Sequence, residues 1–527
     1  MATKKEINKV IDDRFSFAQK DGFIHDEKLA TKPRGYFKDA FIRFTKNKAS
    51  VVAAVIIGII VLFALIVPIS TPKNVRTLMD PYYAKKGPRS EALYSLGING
   101  TKDEELSDRT IIYQYAKGIA ADFTDEKPVE SIKESQGGKY QPVLKIKKVE
   151  ETKQGRTVSN LYTTSVDQYL AEGFKYISIE QFKFNEIRLW EEKTGLKVLF
   201  PLIADNEYTF DKTSRDAANY WYKTTGKCDP IKIVGGTPVV QSYSEDLILE
   251  ENYMRDSEGK FVYHVYTGGG SSTETAMYKV RVLYYNYYQY LYGRAPNYIF
   301  GTDSQGYSMI YRLATGVRLS LVVSILVSLV NFIIGAIYGA IEGYYGGAVD
   351  LIMERISDIL VEVPFVVVVT LFQLHYAAKV GSFICLLFAY IVTGWIGTAS
   401  SVRSQFYRFK NQEYVLAART LGCSNRRIMW KHIFPNALGT LITSSVLVIP
   451  GVIFSESMLS YLGIVKLGNA TTTSLGTLLS DASNIWTSYP SLMIFPALII
   501  SLLMICFNLF GNGLRDAFNP QLRGSDD

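Results

Sequence analysis

The segment from Glu413 to Asn436 reads EYVLAARTLGCSNRRIMWKHIFPN and lies between two strongly apolar stretches of the chain. Its first nine residues favour a helix and include two adjacent alanines. Gly422 can end this helix in a left-handed conformation, and Ser424 is a preferred residue for capping a second helix from Asn425 to about Ile433. Pro435 is expected to end the second helix before the next apolar stretch begins. The sequence therefore predicts two short helices, joined at a glycine, beside a membrane.

Six apolar stretches are long enough, or nearly long enough, to cross the core of a bilayer. The first, Ala49 to Ile69, is too long for a signal peptide and lacks a small-residue cleavage pattern, so we interpret it as a retained helix. Pro364 is expected to kink or begin the third helix. The sequence predicts an all-α polytopic membrane protein with six transmembrane helices. The other five predicted spans are Leu319–Ile341, Met353–Leu374, Ser382–Gly397, Ala437–Leu462 and Leu492–Leu509.

Lysine and arginine residues cluster at the ends of these spans and indicate the orientation, because they favour the cytoplasmic side. Residues 403–431 carry seven of them against one acid, Glu413. With an even number of spans, both termini are expected in the cytoplasm and residues 72–298 outside the cell. The loop Glu342–Asp350 is also expected on the cytoplasmic side, although it is not basic. The net charge of +7 reflects this arrangement, and the sequence shows no motif for a nucleic-acid partner.

Residues 72–298 have an ordinary soluble composition and are numerous enough to form a core of their own. Ser178 and Gln181 match a capping box at the start of a helix. The segments PIKIVGGTPVVQSY and KFVYHVYT are typical of strands near glycine turns. The segment Tyr278–Gly293 begins like a strand and becomes rich in tyrosine; its rings either pack in a core or at the membrane interface, which we favour, or contact a peptide or partner protein. We therefore predict an inserted α+β extracellular domain.

Motifs for catalysis are missing from the sequence. It contains no G-x-x-x-x-G-K-[ST] phosphate loop, no H-E-x-x-H and no G-x-S-x-G. Its four histidines are far apart. We therefore predict that the chain is not an enzyme, has no catalytic residues, and holds neither a metal nor a cofactor.

The adjacent alanines, the glycine four residues after Ala418 and the proline thirteen residues after that glycine resemble the coupling loop of ABC-importer membrane subunits. In that family the loop docks into a cleft on a cytoplasmic ATPase. Leu416 and Phe434 depart from the usual Glu and Leu, but EYVLAAR and HIFPN are similar to the oligopeptide and dipeptide importers. The resemblance implies an ATPase-coupling role for Glu413, Ala417, Ala418, Gly422, Arg426 and Pro435.

The resemblance covers about residues 36–72 and 300–524 and is greatest to the C-type subunit of the oligopeptide/dipeptide/nickel group. It rests also on FGTDSQGYSMIYRLATGVRLSL, GYYGGAVDLIMERISDILVEVPF, SESMLSYLGI and GNGLRDAFNPQL. Tyr307 stands where the family usually has Arg, which puts a salt bridge there in doubt. The resemblance implies a type I ABC importer permease fold. The expected organisation is a cytoplasmic arm (1–48), a first transmembrane helix (49–71), the inserted domain (72–298), a permease core (299–517) with the coupling loop 403–435, and a cytoplasmic tail (518–527).

By this resemblance the chain would be a permease subunit of an ATP-driven importer for oligopeptides or dipeptides in a bacterial or archaeal cytoplasmic membrane. A homologous second permease would complete the translocation path, and two ABC ATPases carrying ATP and Mg would bind below, one of them against Glu413–Lys431. An extracellular solute-binding lipoprotein would deliver the peptide. Asn331 and Glu456 are candidate path residues, because polar groups within spans usually face a bundle or cavity. The alternatives are a helix–helix hydrogen bond for Asn331 and an interfacial position for Glu456.

Two other classes of protein remain open. A non-transporting receptor or sensor would use residues 72–298 to bind a ligand and the basic loop as a signalling contact, but a six-span core is larger than an anchor needs. An ion-driven transporter predicts paired repeats and ionisable residues at the midplane. The sequence shows neither clearly.

Overall fold

The computed structural model describes residues 36–71, 78–123, 138–154, 157–204, 217–225, 231–234, 237–240, 248–267, 277–469 and 472–518. Residues 1–35 of the predicted arm and 519–527 of the predicted tail lie outside this description. The chain begins with helices α1 (Tyr36–Lys46) and α2 (Lys48–Ser70). Asn47 caps α2 by accepting a hydrogen bond from the backbone N–H of Ser50. α2 covers the whole stretch predicted as the first span.

A unit of mixed helices and strands follows within residues 78–300. In its described parts, one antiparallel sheet has the order β1-β3-β2, a second has the order β10-β11-β4 with β5 also pairing β11, and β6-β9 and β7-β8 form two-stranded pairs. Its elements are β1 (Thr101–Ser107), α3 (Asp108–Ala121), β2 (Val143–Gln154), β3 (Thr157–Asp167), β4 (Phe174–Glu180), α4 (Gln181–Thr194), β5 (Leu199–Phe200), β6 (Tyr222–Thr225), β7 (Ile231–Val234), β8 (Thr237–Val240), β9 (Ile248–Glu251), β10 (His264–Tyr266), β11 (Met277–Leu283) and α5 (Tyr284–Tyr292).

Two predictions about this unit can be compared with the structure. The capping box is wrong, because Ser178 lies inside β4, opposite Lys279 of β11, and α4 begins only at Gln181. The tyrosine-rich segment continues from β11 into α5, where Tyr284, Tyr287 and Tyr288 are buried. These three rings pack in the core, as we favoured. The segment PIKIVGGTPVVQSY contains β7 and β8, and KFVYHVYT contains β10, while the two glycines between β7 and β8 lie outside the described residues.

The described residues that follow the α+β unit are mainly helical. Five helical segments are long and apolar enough to cross a membrane: Lys48–Ser70, Met309–Tyr345, Ser382–Phe409, Asn425–Tyr461 and Ser491–Phe518. The helices after the α+β unit are α6 (Met309–Tyr345), α7 (Gly347–Val361), α8 (Phe365–Val380), α9 (Ser382–Thr393), α10 (Ile396–Phe409), α11 (Glu413–Thr420), α12 (Asn425–Arg427), α13 (Phe434–Tyr461), α14 (Leu475–Ala482) and α15 (Ser491–Phe518).

The predicted third span, Met353–Leu374, is not one straight helix. α7 and α8 meet at an angle of 69°. Pro364 immediately precedes α8, and it cannot donate the backbone hydrogen bond that a continuous helix would need there. The described residues therefore contain five candidate spans, or six if the bent pair is counted as one.

α6 and α10 pack closely because glycines recur every four residues on α6. A Cβ atom at Gly339 would overlap the carbonyl oxygen of Ala399, and one at Gly343 would lie 2.8 Å from the carbonyl oxygen of Arg403. Gly335 makes a similar approach one turn earlier. Such small residues let two helices in lipid approach at backbone distance.

The α+β unit and α11 lie at opposite ends of α6. The unit leads directly into Met309, whereas Tyr344 at the other end donates a hydrogen bond to Asn425 at 2.8 Å. α6 has 37 residues, which corresponds to about 55 Å of helix. The helical bundle therefore separates the two parts.

Thr302 and Asp303, which precede α6, are hydrogen-bonded to the first part of the α+β unit. The backbone N–H of Lys86 donates to Thr302 Oγ1 at 2.9 Å, and that of Lys85 donates to the carbonyl of Asp303 at 2.9 Å. Asp303 also forms a buried ion pair with Arg312 at 3.0 Å. Although Tyr307 stands where the family usually has Arg, Asp303 and Arg312 form an ion pair beside it. The Arg312 guanidinium lies 4.9 Å from the Tyr307 ring centroid.

Candidate functional site: a docking surface at the end of the bundle

The first part of the candidate surface is α11, which forms one residue shorter than predicted. Its first turn closes on Gln412, whose carbonyl accepts hydrogen bonds from the N–H groups of Val415 and Leu416 at 3.0 and 3.1 Å. Val415 is fully buried in an apolar cluster with Phe406 and Ile428. α11 is therefore held to the bundle by one apolar face.

Gly422 ends α11 as predicted. Its φ is +76°, its N–H donates to the carbonyl of Arg419 at 3.0 Å, and the N–H of Cys423 donates to the carbonyl of Ala418 at 3.1 Å. This pair of bonds is the Schellman arrangement, in which a left-handed residue satisfies the last carbonyls of a helix. A Cβ at Gly422 would meet nothing within 4 Å, so the backbone conformation alone favours glycine there.

The second predicted helix differs from the prediction at both ends. Ser424 occupies the N-cap position, but in the described structure its side chain makes no capping hydrogen bond. Pro435 does not end the helix, which continues from Asn425 to Tyr461. A π-helical segment, Ile428–Ile433, lies directly before Pro435. Its wider turn accommodates the proline ring and its missing N–H, so the helix continues past Pro435.

The outward face of the segment is partly apolar and surrounded by charge. Leu421 is 85% exposed and Leu416 is 45% exposed. Ala417 points outward beside them, whereas Ala418 is buried, so only one member of the alanine pair is open to a partner. Glu413 and Arg426 are both exposed. The structure thus brings five of the six predicted coupling residues onto one short segment and places Pro435 at the start of α13.

The ends of α10 and α6 support this surface through a group of ion pairs that the sequence did not reveal. Arg403 pairs with Asp350 at 2.6 Å and Glu354 at 2.9 Å, both on α7. Lys410 donates to the carbonyl of Gly343 at 2.9 Å, and burial lowers the pKa of this lysine, against the opposing effect of Asp350. These contacts with Gly343 and Asp350 place the loop Glu342–Asp350 at the same end of the bundle as the basic segment. The sequence signal for these ion pairs was the lack of basic residues in the loop Glu342–Asp350, which departs from the positive-inside pattern.

The two candidate path residues lie at different helix contacts. Glu456 is 1% exposed and accepts hydrogen bonds from Ser320 of α6 at 3.0 Å and from Ser460 at 3.1 Å. It is therefore enclosed between α6 and α13. Asn331 is 2% exposed, its amide lies against Gly394 between α9 and α10, and its Oδ1 accepts no hydrogen bond from the described residues.

Comparison with known proteins identifies the class of protein. A family model described as "Binding-protein-dependent transport system inner membrane component" matches residues 331–524. A second, described as "N-terminal TM domain of oligopeptide transport permease C", matches residues 35–88. Residues 89–330 are matched by neither of these two family models.

Individual relatives agree with the family models. The oligopeptide transport system permease protein OppC of Bacillus subtilis is 42% identical over 224 residues, which cover 42% of this chain and 72% of the relative. The dipeptide transport system permease protein DppC of Lactococcus lactis is 37% identical over 259 residues, which cover 49% of this chain and 71% of the relative. The chain belongs to this family of binding-protein-dependent oligopeptide and dipeptide permeases.

Solved structures provide a weaker comparison. One titled as inward-facing conformations of the MetNI methionine ABC transporter is 16% identical with a TM-score of 0.34, covering 40% of this chain and 98% of that chain. A likeness of this size carries no argument.

Proposed function

We propose that the chain is a transmembrane permease subunit of an ATP-driven ABC importer for oligopeptides or dipeptides. The substrate class is that named for its relatives from Bacillus subtilis and Lactococcus lactis. A homologous second permease completes the path, and two ABC ATPases supply the energy. ATP and Mg are bound on those ATPases, and this chain contributes no catalytic site.

The observation that carries the proposal is the exposed, glycine-ended α11 segment in a chain of this family. Leu421 and Ala417 offer a small apolar contact, and Arg426 and the neighbouring basic residues surround it. An ATPase cleft that encloses the α11 segment would bury Leu421. The Schellman turn at Gly422 fixes the position of α11 relative to α12.

A movement of the α11 segment would be transmitted to the membrane helices through direct contacts. Asn425 accepts a hydrogen bond from Tyr344 of α6, and Arg403 of α10 is paired with two acids of α7. Coupling needs an element whose position both sites influence, and α6 spans the whole bundle. ATP-driven closure of the ATPases would thus shift α6 and α10 together.

The orientation follows from the position of the positive charges. The α11 segment lies in the cytoplasm, and both termini lie on that side if α7 and α8 count as one span, giving six. The α+β unit at the other end of α6 then lies outside the cell, where a solute-binding lipoprotein delivers peptide. The membrane is the cytoplasmic membrane of a bacterium or archaeon.

Glu456 and Asn331 take part in the path only when helices separate. Glu456 is closed in by Ser320 and Ser460, so it faces a peptide only after α6 moves away from α13. The Oδ1 of Asn331, at the break between α9 and α10, accepts no hydrogen bond from the residues that the structure describes. A bend at this break would bring that acceptor toward the path.

The proposal is tested by peptide uptake in the native cell. Deleting the gene should abolish ATP-dependent uptake of a radiolabelled tripeptide, and the full chain supplied from a plasmid should restore it. Uptake of an unrelated amino acid serves as the control. Unchanged tripeptide uptake in a strain that has no second peptide importer would contradict the proposal and favour a receptor.

A further inference from the structure

A polar cleft of about 350 Å³ lies where the α+β unit meets the loop that leads into α15. Four lysines and two glutamates line it, together with Tyr489 from that loop. Its volume is at the lower end of the range for small-ligand sites. The lysines are Lys85, Lys86, Lys117 and Lys175, and the glutamates are Glu104 and Glu172.

Both glutamates of the cleft are already neutralised. Glu172 accepts hydrogen bonds from Lys86 and from Lys175, the latter at 3.0 Å. Burial raises the pKa of Glu172, but the two ammonium groups outweigh it and hold the pKa below its usual value. Glu104 pairs with Lys102 at 2.9 Å. The lining therefore keeps an excess of positive charge.

Lys85 supplies positive charge that no carboxylate among the described residues balances. In the described part of the chain it forms no ion pair, and its ammonium lies 5.8 Å from the ring centroid of Tyr489. Lys102 lies over the same ring at 4.7 Å. The aromatic ring thus places two cations at one side of the cleft.

The backbone of Lys85 is held in an unfavourable conformation. Its φ is +60°, and it is the only described residue other than glycine with a positive φ. Such conformations persist where the surroundings fix them, and they concentrate at binding sites. Here the hydrogen bond from Lys85 N–H to Asp303, next to that from Lys86 to Thr302, holds the residue in place.

Resting on the proposed function, we propose that this cleft binds the C-terminal carboxylate of the transported peptide, with Lys85 as its charge partner. The size of the cleft suits one end of a peptide better than a protein loop. Gln114 also lines it and has a buried side-chain oxygen that accepts no hydrogen bond from the described residues, which can pair with a peptide N–H. Tyr489 and α15 connect the cleft to the helices, so a peptide held there lies at the outer end of the bundle.

The test measures binding of trialanine and of trialanine amide to the full-length chain in nanodiscs by isothermal titration calorimetry. The acid should bind about tenfold more tightly than the amide, the effect of one charge-assisted hydrogen bond. Lys85→Gly should abolish this preference. Glycine suits the positive φ, so this variant is expected to fold at least as well as the wild type. Lys260→Gly, at an exposed lysine outside the cleft, is the matched control and should keep the preference.

Each outcome bears on the cleft separately from the importer role. Equal binding of acid and amide, no binding of either, or a preference that survives in Lys85→Gly would overturn the inference, even if peptide uptake by cells depends on the chain. Binding of an acidic segment of the lipoprotein at Lys85, with no binding of trialanine, would also overturn it. Loss of the importer role with the acid preference intact would overturn the proposed function and leave the carboxylate site standing.

Discussion

Replacing Leu421 by alanine tests the docking surface without disturbing the fold. Leu421 is 85% exposed, so removing its side chain should change the free energy of unfolding by no more than about 0.5 kcal/mol. If an ATPase cleft encloses it, the same change removes about 2 kcal/mol of apolar burial from the complex. That loss corresponds to a dissociation constant raised about 30-fold.

The assay for Leu421→Ala is ATPase association with the purified chain in nanodiscs, measured by biolayer interferometry beside a thermal melt. Leu96→Ala is the matched control, because Leu96 is 76% exposed and lies in the α+β unit. We expect wild-type melting for both variants and weakened ATPase binding for Leu421→Ala alone. Equal ATPase binding by the wild type and Leu421→Ala would refute the assignment of this face as the contact.

Three further changes test other parts of the structure. Gly422→Ala forces a side chain into a left-handed conformation and should cost about 1 kcal/mol in a thermal melt and reduce ATP-dependent uptake, whereas Gly451→Ala, in helical backbone with open space, should do neither; equal effects would contradict the role of the turn. Gly339→Ala should cost about 2 kcal/mol or more in the melt because it separates α6 from α10, and Gly58→Ala, whose Cβ would meet nothing, is its control; a harmless Gly339→Ala would argue against this packing. The depressed pKa of Glu172 means that its stabilising effect is present above the unfolded value and is lost as pH falls through the lower folded value, so Glu172→Gln should reduce the difference in melting temperature between pH 7 and pH 3, and an unchanged difference would contradict the ion-pair account.

Helix positions and the turn at Gly422 were predictable because their causes are local. Long apolar runs have few alternatives to a membrane helix, and a glycine after an amphipathic helix has a well-defined role. The bend at Pro364 could be foreseen as a kink or a helix start, but hydropathy alone gave a single span there. The G-x-x-x-G-x-x-x-G spacing from Gly335 to Gly343 is a sequence signal for the close contact of α6 with α10 that our sequence analysis did not use.

Other features depend on contacts between distant residues. Glu456 meets Ser320 across 136 positions of sequence, and Arg403 meets Asp350 across 53. Neither pair follows from spacing. No sequence pattern marks the π-helical segment before Pro435. Because a proline usually ends a helix, the sequence predicted a helix end at Pro435. The sheet order β1-β3-β2 likewise requires knowledge of which strands pair.

The coupling role of the six residues from Glu413 to Pro435 stays a prediction, and the sequence showed only part of how they are arranged. The sequence singled out Gly422 and the alanine pair, whereas the structure shows that Ala418 is buried and that Leu416 and Leu421 are exposed. Solvent exposure depends on how α11 lies against α10 and the π-helical segment Ile428–Ile433. A linear pattern does not contain that information.

The measurement that tests the importer account most directly is affinity purification of the tagged full-length chain from its native membrane in mild detergent, with identification of every co-purifying protein. The account predicts two ABC ATPases, a second permease and a solute-binding lipoprotein, with the ATPases lost in Leu421→Asp and retained in Leu96→Asp. Purification of the chain without any ATPase would contradict it.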